Sequence, residues 1–360
     1  MSNTAGQNKC DQGVDTLMTT RFAALAASFS ALLGVSMLTQ APAQAASGDC
    51  DRACLNGIVE KYIAALQAHD PKQAPIARGT RYSENGVELP LPDGLWRTFA
   101  KLSPYRLIVA DPREGSVGFF IKGDENGVTV LVGTRLKVVK QEITEIESYA
   151  ARLTNTVGGA AAALLGPEIL GDTTRKQFVT AMAPEKRRSR DELSKIVDSY
   201  FTGLENNHGD KVPNFADDCL RIENGSQTTS RPVAADAKPG AANYGCKEAF
   251  GLGYYREDTR LRNRRILAID EERQVVYAGV FFDHDATVRS YQIKDGRTVN
   301  VRNTVPWTWG IQEIFQINEQ GQISQVEAVL LSVPYGMRPA FSTGKHMPSP
   351  QAEKDGFKEY

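Results

Sequence analysis

The chain predicts an α+β fold built twice in tandem, and three observations carry that prediction. Leu55 opens LNGIVEKYIAALQAHD, and Leu193 opens the similar LSKIVDSYFTGLENNHGD. Each stretch runs, after a similar gap, into Glu-Asn-Gly, at Glu84-Asn85-Gly86 and at Glu223-Asn224-Gly225. The copies also close alike, on ITEIES (143–148) and ISQVEA (323–328). A repeat of this length is domain-sized, since solenoid repeats run only about 20–50 residues. Within each copy a helical pattern precedes a run of strand patterns, which sets helices on one face of an antiparallel sheet.

Taken in order, the first element is a targeting segment, residues 1–45. Arg21 precedes an apolar stretch from Phe22 to Leu38, and Ala43-Gln44-Ala45 supplies a small-x-small cleavage site. Asp11 and Asp15 are foreign to a basic leader, so Met18 stands as the alternative start. Ser28, Ser30 and Ser36 interrupt the stretch, whereas a membrane span needs about 20 apolar residues. The expected product is periplasmic or secreted, with no membrane span in its mature form. Cys10 leaves with the leader, and Cys50, Cys54, Cys219 and Cys246 remain. An even count in an oxidising compartment predicts disulfides, with three pairings allowed by four cysteines. Cys50–Cys54 and Cys219–Cys246 are favoured. A zinc site is the alternative, but no histidine stands at ligand spacing near either pair, so no metal is expected.

In the first copy, residues 46–152, the apolar Ile58, Val59, Tyr62, Ile63 and Leu66 fall on one helical face, and Pro71 ends the helix. YRLIVAD, GSVGFFIKGD, VTVLVGTRLKV and EITEIESYAAR follow as strands, parted by Asp-Pro, Glu-Asn-Gly and Lys-Gln turns. In the second copy, residues 190–341, Ile196, Val197, Tyr200 and Leu204 make the helix face. RRILAID, QVVYAGVFFDHDATV, GIQEIFQIN and ISQVEAVLLSV make its strands. Between the copies, residues 153–189 include VGGAAAALLGPEIL, read as a packed linker helix. The tail, 342–360, is polar and reads as poorly ordered. A net charge of −1 leaves no electrostatic footprint for nucleic acid. The densest basic run, EKRRSRDEL (185–193), is mixed with acids and reads as a solvated helix start.

The helix-then-strands order resembles the nuclear transport factor 2-like (SnoaL-like) superfamily. YIAALQAHD…RYSENGVELPLPDGLW and RRILAIDEERQVVYAGVFFDHD…VPYGM resemble an exported two-domain family, mostly of unassigned function. The resemblance implies two tandem cone-shaped domains, each a curved antiparallel sheet wrapped around N-terminal helices and enclosing a pocket. The linker helix could then cover a cone mouth. The superfamily includes dehydratases, isomerases, cyclases, epoxide hydrolases, carbon–carbon lyases and plain binding modules, and the fold alone does not select among them.

The chain lacks a phosphate-cradling glycine loop, a His-Glu-x-x-His helix and a Gly-x-Ser-x-Gly elbow. The expected chemistry is therefore positioned acids and bases without a cofactor. The second copy is the more polar. In VFFDHDATV, Phe282, His284 and Ala286 share one strand face, and Phe281, Asp283 and Asp285 share the other. Whichever face looks inward supplies His284 or Asp283 as a base; otherwise the run is a solvated strand end. His208, like His69, stands at a helix end, where it either meets substrate or caps the dipole. Asn-Gly marks a turn, so Glu223 either projects inward or caps the strand. Arg221 stands where the first copy has Tyr82. Trp307 and Trp309 at period two, with Tyr335 in VPYGM, read as an aromatic wall or as ordinary core. Gly133 and Arg135 are taken as neighbouring the matching strand, and Glu313, aligned with Arg135, as an inward acid.

These features predict an exported, cofactor-independent lyase or isomerase acting on a small aromatic molecule. His284 or Asp283 is its base, and Tyr335 or Arg221 stabilises developing oxyanion charge. Trp307, Trp309, Glu313, Glu223 and His208 bind substrate. The resemblance further implies aromatic compound degradation by a formaldehyde-releasing lyase of lignin-derived phenylcoumaran-type dimers. One alternative is a non-catalytic small-ligand-binding or structural module. Another is an epoxide-type hydrolase built on Asp218 and Arg221. No nucleic-acid partner is expected, and a homo-oligomer is left open.

Overall fold

In the computed structural model, residues 49–152, 170–302, 304–347 and 349–355 are described. The leader and most of the linker lie outside them. Asp51 starts the first helix, α1 (Arg52–Gln67), by accepting the backbone N–H of Cys54 at 2.8 Å. Leu55, Ile58, Val59, Tyr62, Ile63 and Leu66 are buried along it, the apolar stripe of a core-facing helix. Strands β1 (Ile76–Glu84) and β2 (Val87–Leu89) follow, then the short helix α2 (Leu95–Thr98). Strands β3 (Phe99–Asp111), β4 (Ser116–Glu125), β5 (Val128–Val139) and β6 (Glu142–Ala151) complete the first sheet.

After a helical turn, α3 (Lys176–Val179), the order repeats. The second long helix, α4 (Arg190–Leu204), begins at a capping box between Ser189 and Glu192. Strands β7 (Phe215–Glu223) and β8 (Ser226–Gln227), helix α5 (Cys246–Leu252), and strands β9 (Arg260–Asp270) and β10 (Val275–His284) come next. A small hairpin, β11 (Ser290–Gln292) with β12 (Thr298–Asn300), precedes β13 (Trp307–Ile317) and β14 (Ile323–Val333).

The sheets share one topology. The first runs β2-β1-β6-β5-β4-β3, and the second, read from its far edge, runs β8-β7-β14-β13-β10-β9. Both are antiparallel except for one parallel pair each, β1 with β6 and β7 with β14. Register makes the correspondence residue by residue. Glu84 lies beside Ser148 and Ser148 beside Thr134; Glu223 lies beside Ala328 and Ala328 beside Glu313.

Strands buried on both faces read as near-continuous apolar runs, and period two decides what each face covers. Val117, Phe119 and Ile121 of β4 pack with α1, and Val276, Ala278, Val280 and Phe282 of β10 pack with α4. The opposite faces, with Phe120, Leu131 and Tyr149 from one sheet and Tyr277, Phe281 and Ile314 from the other, form a third core shared by both. The fold is thus two α+β cones back to back.

The contact between cones is reciprocal, as in an isologous dimer. Arg52, at the start of α1, binds Asp270 at the end of β9. Its counterpart Arg190, at the start of α4, binds Asp111 at the end of β3, at 2.6 and 3.0 Å. Equivalent residues also meet each other: Gly118 lies under Tyr277, and Gly133 beside Gln312. Arg265 joins Glu147 across the same contact at 2.6 Å.

The disulfides are Cys50–Cys54 and Cys219–Cys246, with Cα atoms 5.2 and 5.9 Å apart. The second closes a 27-residue loop between β7 and the start of α5. Loop-closure entropy gives such a bridge about 3.5 kcal/mol. The Cys219→Ser/Cys246→Ser double variant is expected to lose that amount in chemical denaturation, and the Cys50→Ser/Cys54→Ser variant clearly less.

The tail corrects its sequence reading. Polar composition suggested disorder, but Phe341, Met347 and Ala352 are buried anchors. Between them β15 (Lys345–His346) pairs with β9, and Ser349 caps α6 (Pro350–Lys354). Three spaced apolar residues suffice to hold a polar segment on the second sheet. Among the described residues no helix is long and apolar enough to cross a membrane.

Candidate functional site

The first cone is filled by its own rings. Tyr62, Tyr82, Trp96 and Phe119 are buried, with Trp96 edge-on to Tyr62 at 5.2 Å and Phe119 edge-on to it at 5.8 Å. In the second cone, register places Ala278 where the first has Phe119, and Glu313 where it has Thr134. Arg221 replaces Tyr82. Losing two rings opens a cavity of about 430 Å³. Two insertions roof it. The first copy turns from β4 to β5 through Asn126-Gly127 alone, whereas residues 285–306 separate β10 from β13. Residues 228–259, which carry α5, form the other insertion. Ala249, Tyr254, Tyr291 and Ile293 join the two in a small core of their own.

The face of VFFDHDATV that looks into the cavity is that of Phe282 and His284. His284 Nε2 lies 2.7 Å from Asp258 Oδ1, and its ring stacks on Trp307 at 4.0 Å and 9°. Trp309 stands edge-on to Trp307 at 4.2 Å. A carboxylate accepts only, so the Nε2 proton is assigned to this bond, and the neutral tautomer this selects has its lone pair on Nδ1. Asp258 belongs to a turn in which its N–H donates to Tyr255 O at 3.1 Å. Tyr291 braces that turn: its hydroxyl donates to Glu257 at 2.7 Å and accepts the Tyr255 N–H at 3.1 Å. Burial, reinforced by the neighbouring Asp258 charge, pushes the Glu257 carboxyl up.

The inner end of the cavity is a second polar cluster. Glu313 pairs with Ala278, six positions before His284, or about 20 Å along the strand at ~3.3 Å per residue. Tyr200 of α4 donates to Glu313 Oε1 at 3.1 Å. Burial raises the Glu313 pKa to about 8, against the pull of Arg221, so the group is mostly protonated at neutral pH. Arg221 donates to Tyr255 at 3.1 Å and pairs with Glu223. Phe282, Trp309, Ile311 and Leu330 wall the space between the two ends.

Four buried polar atoms on these lining residues have no hydrogen-bond partner among the described residues: His284 Nδ1, Trp307 Nε1, Glu313 Oε2 and Arg221 Nε. Buried polar atoms are nearly always paired, and four orphans that share one cavity point to a ligand.

Six expected site residues therefore meet at this cavity: His284, Arg221, Trp307, Trp309, Glu313 and Glu223. Three do not. Asp283 lies on the opposite strand face, bound by Arg260, Arg262 and Thr308. Burial pushes its carboxyl up, but hydrogen bonds and charge from Arg262, with Thr308 and Arg260, more than offset this and hold it low. Tyr335 is 43% exposed and stands beside Arg260, at 5.8 Å. His208 is exposed beyond the end of α4. Asp218 is exposed too, so the Asp218–Arg221 arrangement of an epoxide opener does not form. Register also corrects two alignments. Glu313 matches Thr134, not Arg135, and Trp307 and Trp309 match Val128 and Val130. Sequence reasoning missed Tyr200, Tyr255, Glu257 and Asp258. The available signal was the extra length of the second copy between Glu-Asn-Gly and its next strand, where three of the four lie.

The family model described as "Domain of unknown function (DUF8021)" matches residues 49–150 and 186–330. Solved structures similar to this chain include an NTF2-like protein of unknown function from Cytophaga hutchinsonii (15% identity, TM-score 0.22), covering 27% of this chain and 89% of that one. A putative hydroxylase from Streptomyces galilaeus is similar at 13% identity and a TM-score of 0.23, covering 28% and 81%. An epoxide hydrolase/cyclase-like enzyme of pyran ring formation in the polyether salinomycin is similar at 16% and 0.26, covering 39% and 92%. No curated protein matches.

Proposed function

We propose that this chain, which belongs to the family described as a domain of unknown function (DUF8021), is an exported, cofactor-independent lyase or isomerase. It acts on a small, largely apolar aromatic molecule held in the second cone. The observation that carries this reading is the gathering of four unpartnered polar atoms on one aromatic-walled cavity. His284 Nδ1 is the base, with Asp258 holding the other nitrogen and stabilising the imidazolium that forms. The stacked Trp307 fixes the plane of the ring. The inner cluster anchors the far end of the substrate. Hydrogen bonds left open in the free protein tighten as the substrate closes on them.

For a phenylcoumaran-type dimer, the base takes the hydroxymethyl proton and the carbon–carbon bond breaks to release formaldehyde. The electron pair of that bond forms a carbon–carbon double bond as the ring C–O bond breaks, and the departing phenolic oxygen takes up a proton, so none is gained or lost overall. The test is to incubate the processed protein with such dimers and with simpler aryl alcohols, measuring formaldehyde and ligand heats in parallel. Saturable binding with formaldehyde release supports the reading. Binding without turnover of any compound leaves a ligand-binding module and overturns the enzyme assignment.

A further inference from the structure

We infer that the ligand of this cavity is uncharged and presents an oxygen acceptor to the inner cluster, a choice of substrate class that rests on the cavity reading above. The argument starts from charge. Among the described residues, four acids besides the protonated Glu313 line the cavity, Glu223, Glu257, Asp258 and Asp285, against two arginines. Arg302 is exposed at the rim. Arg221 is buried, but both of its terminal nitrogens are engaged, one by Tyr255 and one by Glu223. A carboxylate or phosphate entering this space meets no unpaired buried cation and several acids, so like-charge repulsion and desolvation reject it.

The groups left open then define what is accepted. Tyr200 occupies Glu313 Oε1, so the carboxyl proton resides on Oε2, the oxygen without a partner. Arg221 Nε–H is a second unpartnered donor on the same wall. Two donors suit the two lone pairs of a carbonyl, ether or phenol oxygen. An aromatic body fills the space toward Trp309, and the oxygen end seats inward. The acid stays protonated because burial outweighs the attraction of Arg221, while Glu223 faces it from β7, across β14, and the Tyr200 hydroxyl from α4.

A matched trio tests this by calorimetry at pH 7: 4-methoxybenzaldehyde, 4-methoxybenzoate and 4-methoxybenzylammonium. The aldehyde is expected to bind at least tenfold more tightly than either ion. Raising the pH through about 8 ionises Glu313 and turns its donor into an acceptor, so aldehyde affinity falls and ammonium affinity rises. In Glu313→Gln no group titrates at this position, so the dependence of aldehyde affinity on pH over this range disappears. Benzoate or ammonium binding as tightly as the aldehyde at pH 7 overturns the inference while leaving the aromatic cavity intact. No binding by any of the three overturns the cavity reading, and the inference with it.

Discussion

Replacing His284 with alanine is expected to lower turnover about 10²–10⁴-fold, the range in which a positioned general base acts. The fold is expected to survive, because His284 ends β10 beside the cavity, with no place in the core shared by the two cones. Binding should weaken less than turnover, since Phe282, Trp309 and Leu330 still wall the space. Asp258→Asn keeps an acceptor near Nε2 but removes the charge that supports the imidazolium, and its loss is expected to be smaller yet visible in the pH profile of kcat. Asp283→Asn is the informative contrast. It lies one residue from His284, yet its carboxylate serves Arg260 and Arg262 on the other face. It should therefore cost stability, several kcal/mol for breaking a buried pair, and leave the shape of the pH profile unchanged. Turnover that persists in His284→Ala, or a profile displaced in Asp283→Asn, overturns the assignment of the base.

That contrast also measures what was legible beforehand. Period two gave two faces for VFFDHDATV, and composition alone does not say which one turns inward, because both carry polar residues beside aromatics. The choice is made by long-range partners: Arg260 and Arg262 two strands' worth of chain away, and Asp258 in a roof with no counterpart in the first copy. The duplication, the long helix and four long strands of each copy and both disulfide pairs were local signals, readable from spacing and cysteine chemistry; strands β1, β2, β7 and β8 were not among them. The aromatic pair Trp307 and Trp309 was readable too, but its counterparts were displaced. Only the ladder, by pairing His284 with Trp307 and Glu125 with Val128, fixes the equivalence. The cavity arises largely from subtraction, Phe119 to Ala278, and a missing ring leaves no motif.

Gly118→Ala is expected to destabilise the protein by about 3 kcal/mol, the upper end for overpacking a core. An added Cβ would stand 2.0 Å from Tyr277 Cδ1 and 2.2 Å from Cε1. The ring has nowhere to retreat, since Tyr277 is fully buried, its edge packs on Phe120, and its hydroxyl binds Gln312. Tyr277→Ala alone should cost a comparable 3–5 kcal/mol through the cavity it leaves. In the double variant the new methyl enters the space the ring has vacated, so the two losses should fall short of additivity by more than about 1 kcal/mol in denaturant titrations. Strict additivity would falsify the contact. The reason for expecting it is symmetry. Gly118 and Tyr277 are the same position in two copies of one unit, and so are Gly133 and Gln312. Where equivalent positions meet, two large side chains collide and two glycines leave a void. One large residue opposite one glycine fills the space once. Each cone therefore carries half of a pairing that neither could complete with a copy of itself. With the contact divided in this way, the two cones differ on their inner faces as well: the first is filled by Phe119 and Tyr82, and the second, with Ala278 and Arg221 in their places, holds the cavity.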